Sequence, residues 1–298
     1  MTAMKKVFYI LSVLLLAFTA CSTDGKDNNS DDPWEWNNPD EGKPDEGKPD
    51  NDGTVFYPKA EGSVRIMSYN VGAFSKYLSN STEMVAAMIL EAEADVVGLN
   101  ELDSCNTRHN VNQVKALAAA LDGWKWTFGR AMSYKDGAYG NGVVVPRNTD
   151  IIDSYTVALP KGTGSEPRSI AVVETPDYIL GAAHLDHTSE ESVLGQIEVV
   201  HAWGQQYKGS SKPVFFCGDM NSRPGSAAIN SILTKWEMLS STENTIPSNA
   251  PTSCIDFIFR YRDAASVKVT GTHTMTRFHN GDVTKASDHL PVYADVVF

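Results

Sequence analysis

Apolar positions along this chain follow two rhythms that take turns. Residues 63–70 alternate, with Val64, Ile66 and Met67 apolar, and predict a strand. Val85, Met88, Ile89 and Ala92 then fall at helical spacing, and Asn80 with Glu83 three residues on predicts a capping box at the head of that helix. A short apolar run at 95–100 predicts a second strand. Val111, Val114, Leu117, Ala118 and Leu121 predict a second helix that stops at Gly123. Strand signals then crowd together at 125–130, 140–145, 169–174 and 178–184. A third helix is predicted over 190–207, with Val193, Ile197 and Val200 on one face. Strands recur at 214–217, 255–259, 267–271 and 292–297. Many strands, few helices and mixed connections predict an α/β fold in which two sheets pack face to face with helices outside.

The first 62 residues follow neither rhythm. A basic stretch, Met4-Lys5-Lys6, precedes an apolar run over 7–18 that only Ser12 interrupts. The run falls short of the roughly 20 residues a membrane span needs, so residues 1–21 read as a signal peptide. Phe18-Thr19-Ala20-Cys21 resembles a bacterial lipoprotein box with Cys21 as the lipid acceptor, although Phe18 stands where an aliphatic residue is usual. The expected location is therefore outside the cytoplasm, anchored by lipid to a bacterial membrane, at the outer membrane or cell surface. Several acyl chains hold a protein on a bilayer where one does not. Residues 22–62 read as a tether rich in Asp, Asn, Pro and Gly. Such a segment has too little apolar surface to offset the entropy of ordering it. Residues 63–298 read as one domain.

Charge sharpens this division. The net charge is -12, and eleven acidic residues against three lysines lie between Ser22 and Gly53. The remainder is mildly acidic and has no block of Lys and Arg, so charge alone does not favour docking on nucleic acid. The body carries Cys105, Cys217 and Cys254. The latter two border or lie in apolar runs and read as buried thiols; an odd number gives no disulfide framework, and one bridge is left open.

Polar residues of catalytic type stand at the ends of the apolar strands, where a rigid sheet presents side chains along a shared edge. They are Asn70, Glu101, the trio His184, Asp186 and His187, the pair Asp219 and Asn221, Asp256, and Asp288 with His289. Any one of them alone reads as a turn residue, a helix cap or a structural histidine. Together they offer carboxylates suited to a hard cation, amides, and imidazoles for proton transfer.

The strings Ser68-Tyr69-Asn70, Gly98-Leu99-Asn100-Glu101, Gly140-Asn141-Gly142, His184-Leu185-Asp186-His187, Gly218-Asp219-Met220-Asn221, Ile255-Asp256-Phe257-Ile258-Phe259 and Ser287-Asp288-His289-Leu290-Pro291 resemble, in order, the motif series of the endonuclease/exonuclease/phosphatase superfamily. The resemblance implies a DNase I-like, four-layer α/β sandwich with its site at one edge of two mixed sheets. It implies a metal-dependent phosphoric ester hydrolase that uses Mg²⁺ or Mn²⁺. By this resemblance Glu101 would bind the metal with Asn70 beside it, and Asp288 would complete the metal or phosphate region. His289 would pair with Asp256, Asp219 would activate or orient the attacking water, and Asn221 would hold a phosphate oxygen. His184 would donate to the phosphate or assist the leaving group, while Tyr139, Arg168, Asp186 and His187 would support the phosphate or substrate. Asn100 departs from the pattern, standing where Gln usually precedes the metal Glu.

Such chemistry suits the residues, because an anionic phosphate ester repels hydroxide until a divalent ion neutralises its oxygens. The substrate class stays open among nucleic acid, inositol phosphate and phospholipid. A DNase-like endonuclease, or a binding lipoprotein that keeps the fold without catalysis, are the alternatives. A calcineurin-like metallophosphatase is excluded by the lack of a Gly-Asn-His string, and His184 with His187 has no third zinc ligand at a fitting spacing. The chain is expected to act as a monomer.

Overall fold

The computed structural model describes residues 53–298; the signal peptide, Cys21 and nearly all of the tether lie outside the described residues. Twelve strands form two six-stranded mixed sheets. In the first, β1 (Val64–Asn70) pairs in parallel with β2 (Val96–Ser104), which runs on to the hairpin of β3 (Lys125–Tyr134) and β4 (Gly137–Val145). The second sheet takes β5 (Asp153–Leu159), β6 (Arg168–Glu174), β7 (Ile179–His184), β8 (Val214–Asp219), β9 (Trp236–Met238) and β10 (Asp256–Tyr261). The chain then returns to complete the first sheet with β11 (Lys268–Thr274) and β12 (Val292–Val297).

Three apolar clusters glue four layers. Ile66, Val143, Leu180, Phe215, Ile258 and Val292 fill the space between the sheets. Helices α1 (Thr82–Glu91) and α2 (Gln113–Ala120) pack Val85, Ile89, Val114 and Leu117 on the outer face of the first sheet. Helices α3 (Glu190–Gln205) and α4 (Ala227–Leu233) do the same for the second with Val193, Ile197, Val200 and Ile229. The expected four-layer α/β sandwich is the observed one. Burial on both faces explains the continuous apolar run at 214–217, which a half-exposed strand would break by alternation, while in β12 only Asp295 interrupts the apolar residues.

Local chemistry sets the element ends. Asn112 caps α2 by accepting from Lys115 N, and Ser189 caps α3 by accepting from Ser192 N. The capping box expected for α1 does not form. Asn80 Oδ1 instead accepts from Thr82 N (3.0 Å) and Thr82 Oγ1 (2.7 Å), and Glu83 points to solvent. Residues 53–62, assigned to the tether on composition, lie against the body. Tyr57 O accepts from Arg65 Nη1 (2.9 Å), Lys59 pairs with Asp95, and the Phe56 ring stacks 4.4 Å from His279. Cys105, Cys217 and Cys254 form no disulfide with one another, and burial pushes Cys217 and Cys254 up to about 12.

Candidate active site

Strand register builds the site. In the second sheet, parallel pairing sets His184 beside Asp219, and antiparallel pairing sets Asp219 beside Asp256, so three strand ends form one row. In the first sheet, parallel pairing sets Asn70 beside Asn100. Glu101 comes next, in a bulge where β2 shifts register against β4. Its backbone is left-handed (φ 60°), which turns its carboxylate back toward Asn70. A non-glycine residue in that region costs about 1 kcal/mol or more, a strain that recurs at functional positions. His289 arrives two residues ahead of Pro291, just before β12.

The two sheets are stitched together at this edge. Asn70 Nδ2 donates to Glu101 Oε1 and Asp219 Oδ2, both at 3.1 Å, and lies 3.5 Å from His289 Nε2. Asn100 Oδ1 accepts from Asp219 N at 3.0 Å, while Asn100 Nδ2 reaches Asn141 Oδ1 at 2.9 Å. Asn100 thus links the sheets, which gives a physical role to the residue that departs from the usual Gln. Gly218 is required here: its φ is 139°, and a Cβ would sit 1.8 Å from Ala183 O.

Asp219 lies at the centre. Its Oδ2 is 3.5 Å from His184 Nε2 and 3.6 Å from His289 Nε2, and its Oδ1 accepts from Asn221 N at 2.8 Å. His289 Nδ1 meets Asp256 Oδ2 at 2.9 Å, and Thr245 Oγ1 donates to the same oxygen at 2.5 Å. The two imidazoles have opposite protonation. Burial disfavours the His289 cation, yet Asp256, Asp219 and Asp288 outweigh it and push His289 up to about 10. Burial pushes His184 well below the usual range, helped by the charges of Arg168, His289 and His187. Burial, then the charge of Asp256, holds Asp219 above the ordinary carboxylate range. Environments that drive neighbouring titratable groups apart are how one site holds an acid and a base at once.

The other expected site residues divide. Arg168 is buried, with Nη1 3.4 Å from Glu166 and Nη2 3.2 Å from His187 Nδ1. Tyr139 is near both Glu101 and Arg168, and burial holds its phenol protonated. Asn221 is left-handed (φ 46°) and its Nδ2 donates to Leu185 O at 2.9 Å. Asp186 is turned inward. Its carboxylate is fully buried and consumed by Thr188 N (2.8 Å), Thr188 Oγ1 (2.9 Å), Ser189 N (2.9 Å) and Ser165 N (3.0 Å). It fastens the 160–167 loop that leads into Arg168. Asp288 gives its Oδ2 to Lys76 at 2.6 Å. Sequence reasoning missed Lys76, and it missed Arg108 and His109, both bonded to the buried Asp103 (2.7 and 2.6 Å). A lone basic residue in a loop carries no periodic signal.

The residues present fit a hard divalent cation. The oxygen donors Glu101 and Asp288 stand with the Asn70 amide, and Asp288 Oδ1 is buried with no hydrogen-bond partner. Asp219, Asp256 and His289 also bring ligand-type atoms within 4.8 Å of one another. In that trio, however, His289 Nδ1 and Asp256 Oδ2 are already spent on each other. The geometry suits holding a proton there and a cation beside Glu101.

The sequence pattern of the Endonuclease/Exonuclease/phosphatase family matches residues 67–289. The chain belongs to the endonuclease/exonuclease/phosphatase family. Solved relatives share its fold at low identity. A mannosyl-6-phosphatase of Bacteroides thetaiotaomicron is 19% identical, with a TM-score of 0.65 over 79% of this chain and 100% of that one. An endonuclease/exonuclease/phosphatase of Bacteroides vulgatus is 21% identical, with a TM-score of 0.65 over 78% and 98%. D. rerio TDP2, solved with a single-strand DNA product, is 18% identical, with a TM-score of 0.59 over 80% and 100%. No curated protein matches the chain. Enzymes of this family are generally divalent-metal-dependent hydrolases.

Proposed function

We propose that this protein is a divalent-metal-dependent phosphoesterase, exported and anchored by lipid at Cys21 on a bacterial membrane. The observation that carries the reading is Asp219 held between a cationic His289 and a neutral His184 at one sheet edge. Glu101, with Asn70 and Asp288 beside it, would hold Mg²⁺ or Mn²⁺. When bound, such a cation neutralises phosphoryl oxygens and stabilises charge developing on them. Asp219 accepts the proton of the attacking water, a role its raised proton affinity favours. Asp256 fixes the His289 ring through Nδ1, leaving Nε2 as a charged donor to a phosphoryl oxygen. Neutral His184 and the Arg168–His187 pair line the same edge. Its substrate is a phosphate ester, and the protein works as a monomer.

The test is turnover by the soluble body, stripped with EDTA and then resupplied with Mg²⁺ or Mn²⁺. Sugar phosphates, inositol phosphates, bis-p-nitrophenyl phosphate, plasmid DNA and sphingomyelin are assayed in parallel. Metal-dependent hydrolysis of one class supports the reading and names the substrate. A folded protein that binds Mg²⁺ yet hydrolyses none of them overturns it.

A further inference from the structure

After β1 the chain turns back on three consecutive left-handed residues, Gly72 (φ 53°), Ala73 (φ 54°) and Phe74 (φ 52°). Such a run in an L-chain persists only where packing over-determines it. Here it does: Phe74 is buried in the outer core, Ala73 O accepts from Gln113 Nε2 at 2.6 Å, and Phe74 O accepts from Ser81 N at 2.8 Å. A Cβ at Gly72 would crowd Lys76 Cβ at 3.2 Å and touch Asp288 Oδ1 at 3.4 Å, and its left-handed backbone disfavours any side chain.

What the turn delivers is Lys76. Its ammonium lies 2.6 Å from Asp288 Oδ2 and within electrostatic reach of Glu101. Asp288 is 16% exposed, whereas Lys76 is 44% exposed, so the cation stands at the mouth of the site rather than inside it. An ion pair this open contributes little to stability, and it does not account for a strained, glycine-dependent turn. An ammonium also carries three donors, of which Asp288 occupies one. Lys76 lies outside every motif that marked the site.

We propose that Lys76 is a phosphate-binding residue of this site: its ammonium, steered by Asp288 and the left-handed turn, takes an oxygen of the substrate's phosphoryl group. This rests on the phosphoesterase reading, and its test is chosen to be readable without turnover. Binding of inorganic phosphate to the Mg²⁺-loaded body is measured by calorimetry for the wild type, Lys76→Gln and Lys76→Arg. Mg²⁺ binding alone is measured in the same three proteins, and unfolding midpoints confirm that each is folded. The expected result is phosphate binding weakened roughly tenfold or more in Lys76→Gln, largely restored in Lys76→Arg, with Mg²⁺ affinity little changed. In an active enzyme the same loss appears in KM more than in kcat.

Equal phosphate binding in the wild type and Lys76→Gln overturns the proposal. So does Mg²⁺ binding that tightens markedly in Lys76→Gln while phosphate binding holds, since Lys76 would then be a rival for the cation position. Failure of the wild type to hydrolyse any ester, with the phosphate result as expected, removes the enzymatic reading and leaves Lys76 as an anion ligand.

Discussion

At the start of β1, Arg65 is 1% exposed and faces Asp295 of β12, also 1% exposed, across the antiparallel pair. Arg65 Nε and Nη2 each meet a carboxylate oxygen of Asp295 at 2.7 Å. Its Nη1 donates to Tyr57 O and Ala92 O, and its guanidinium lies 4.3 Å from the centre of the Tyr293 ring. At the other end of the same strands stand Asn70 and His289, with Asp219, Asp256 and Asp288 around them. There Asp256 Oδ1, Asp288 Oδ1, His184 Nδ1 and Arg168 Nε are buried without a hydrogen-bond partner. The first end closes its charge on itself; the second keeps charge and donors in reserve. Buried polar atoms cost stability when unpaired, so their concentration at one end separates a site from a structural ion pair of similar burial.

The largest effect should come from breaking the closed end. Asp295→Ala leaves the buried Arg65 guanidinium uncompensated and should lower the unfolding free energy by about 3–5 kcal/mol in a urea titration. The joint change Arg65→Met with Asp295→Leu should cost far less, because no charge is then stranded. A single variant as stable as wild type would erase the contrast between the two ends. At the open end the effect is on chemistry. His289→Ala should lower turnover by about 10²-fold or more, measured on protein whose circular dichroism is unchanged. Near-normal turnover would remove His289 from the reaction. Glu101→Ala should raise the Mg²⁺ concentration needed for half-maximal activity by about tenfold or more, on the scale of lost metal-site ligands and their partners. An unchanged metal titration would move the cation elsewhere.

The sequence showed the strand ends but not their order around the site. Apolar runs bounded by Asn70, Asp219 or Asp256 were legible because strands buried on both faces carry few polar residues between their tips. Register was not legible: Asp219 faces Asp256 across a hairpin-free pairing, and Asn70 reaches Asp219 across the two sheets. No local pattern encodes contacts at that separation. β5 was missed although Tyr155, Val157 and Leu159 alternate, because an exposed edge strand is mostly polar. Helix α4, of 7 residues, is too short to show a period. Asp186 sat inside a catalytic string, yet what decides its role is the set of N–H groups from 165, 188 and 189 that surround it, and these come from two separate loops.

Asp186 therefore offers the finest test, since it borders the open end yet is built like the closed one. Burial alone would raise its affinity for a proton, but the hydrogen bonds from Thr188, Ser189 and Ser165 outweigh burial and lower it from 3.8 to about 2. A carboxylate with a depressed folded-state value stabilises the protein above its unfolded value and loses that contribution as the pH falls through the folded one. Asp186→Asn keeps the shape but turns an N–H donor toward donors. It should cost about 2 kcal/mol near pH 7. The gap to wild type should narrow below pH 3.8 and close near pH 2, where the wild-type carboxyl is itself protonated. Because the 160–167 loop leads into Arg168, turnover should fall modestly at neutral pH with the metal requirement unchanged. A stability gap that stays constant down to pH 2 would mean that the charge of Asp186 does no work, and that shape alone holds the loop beside the site.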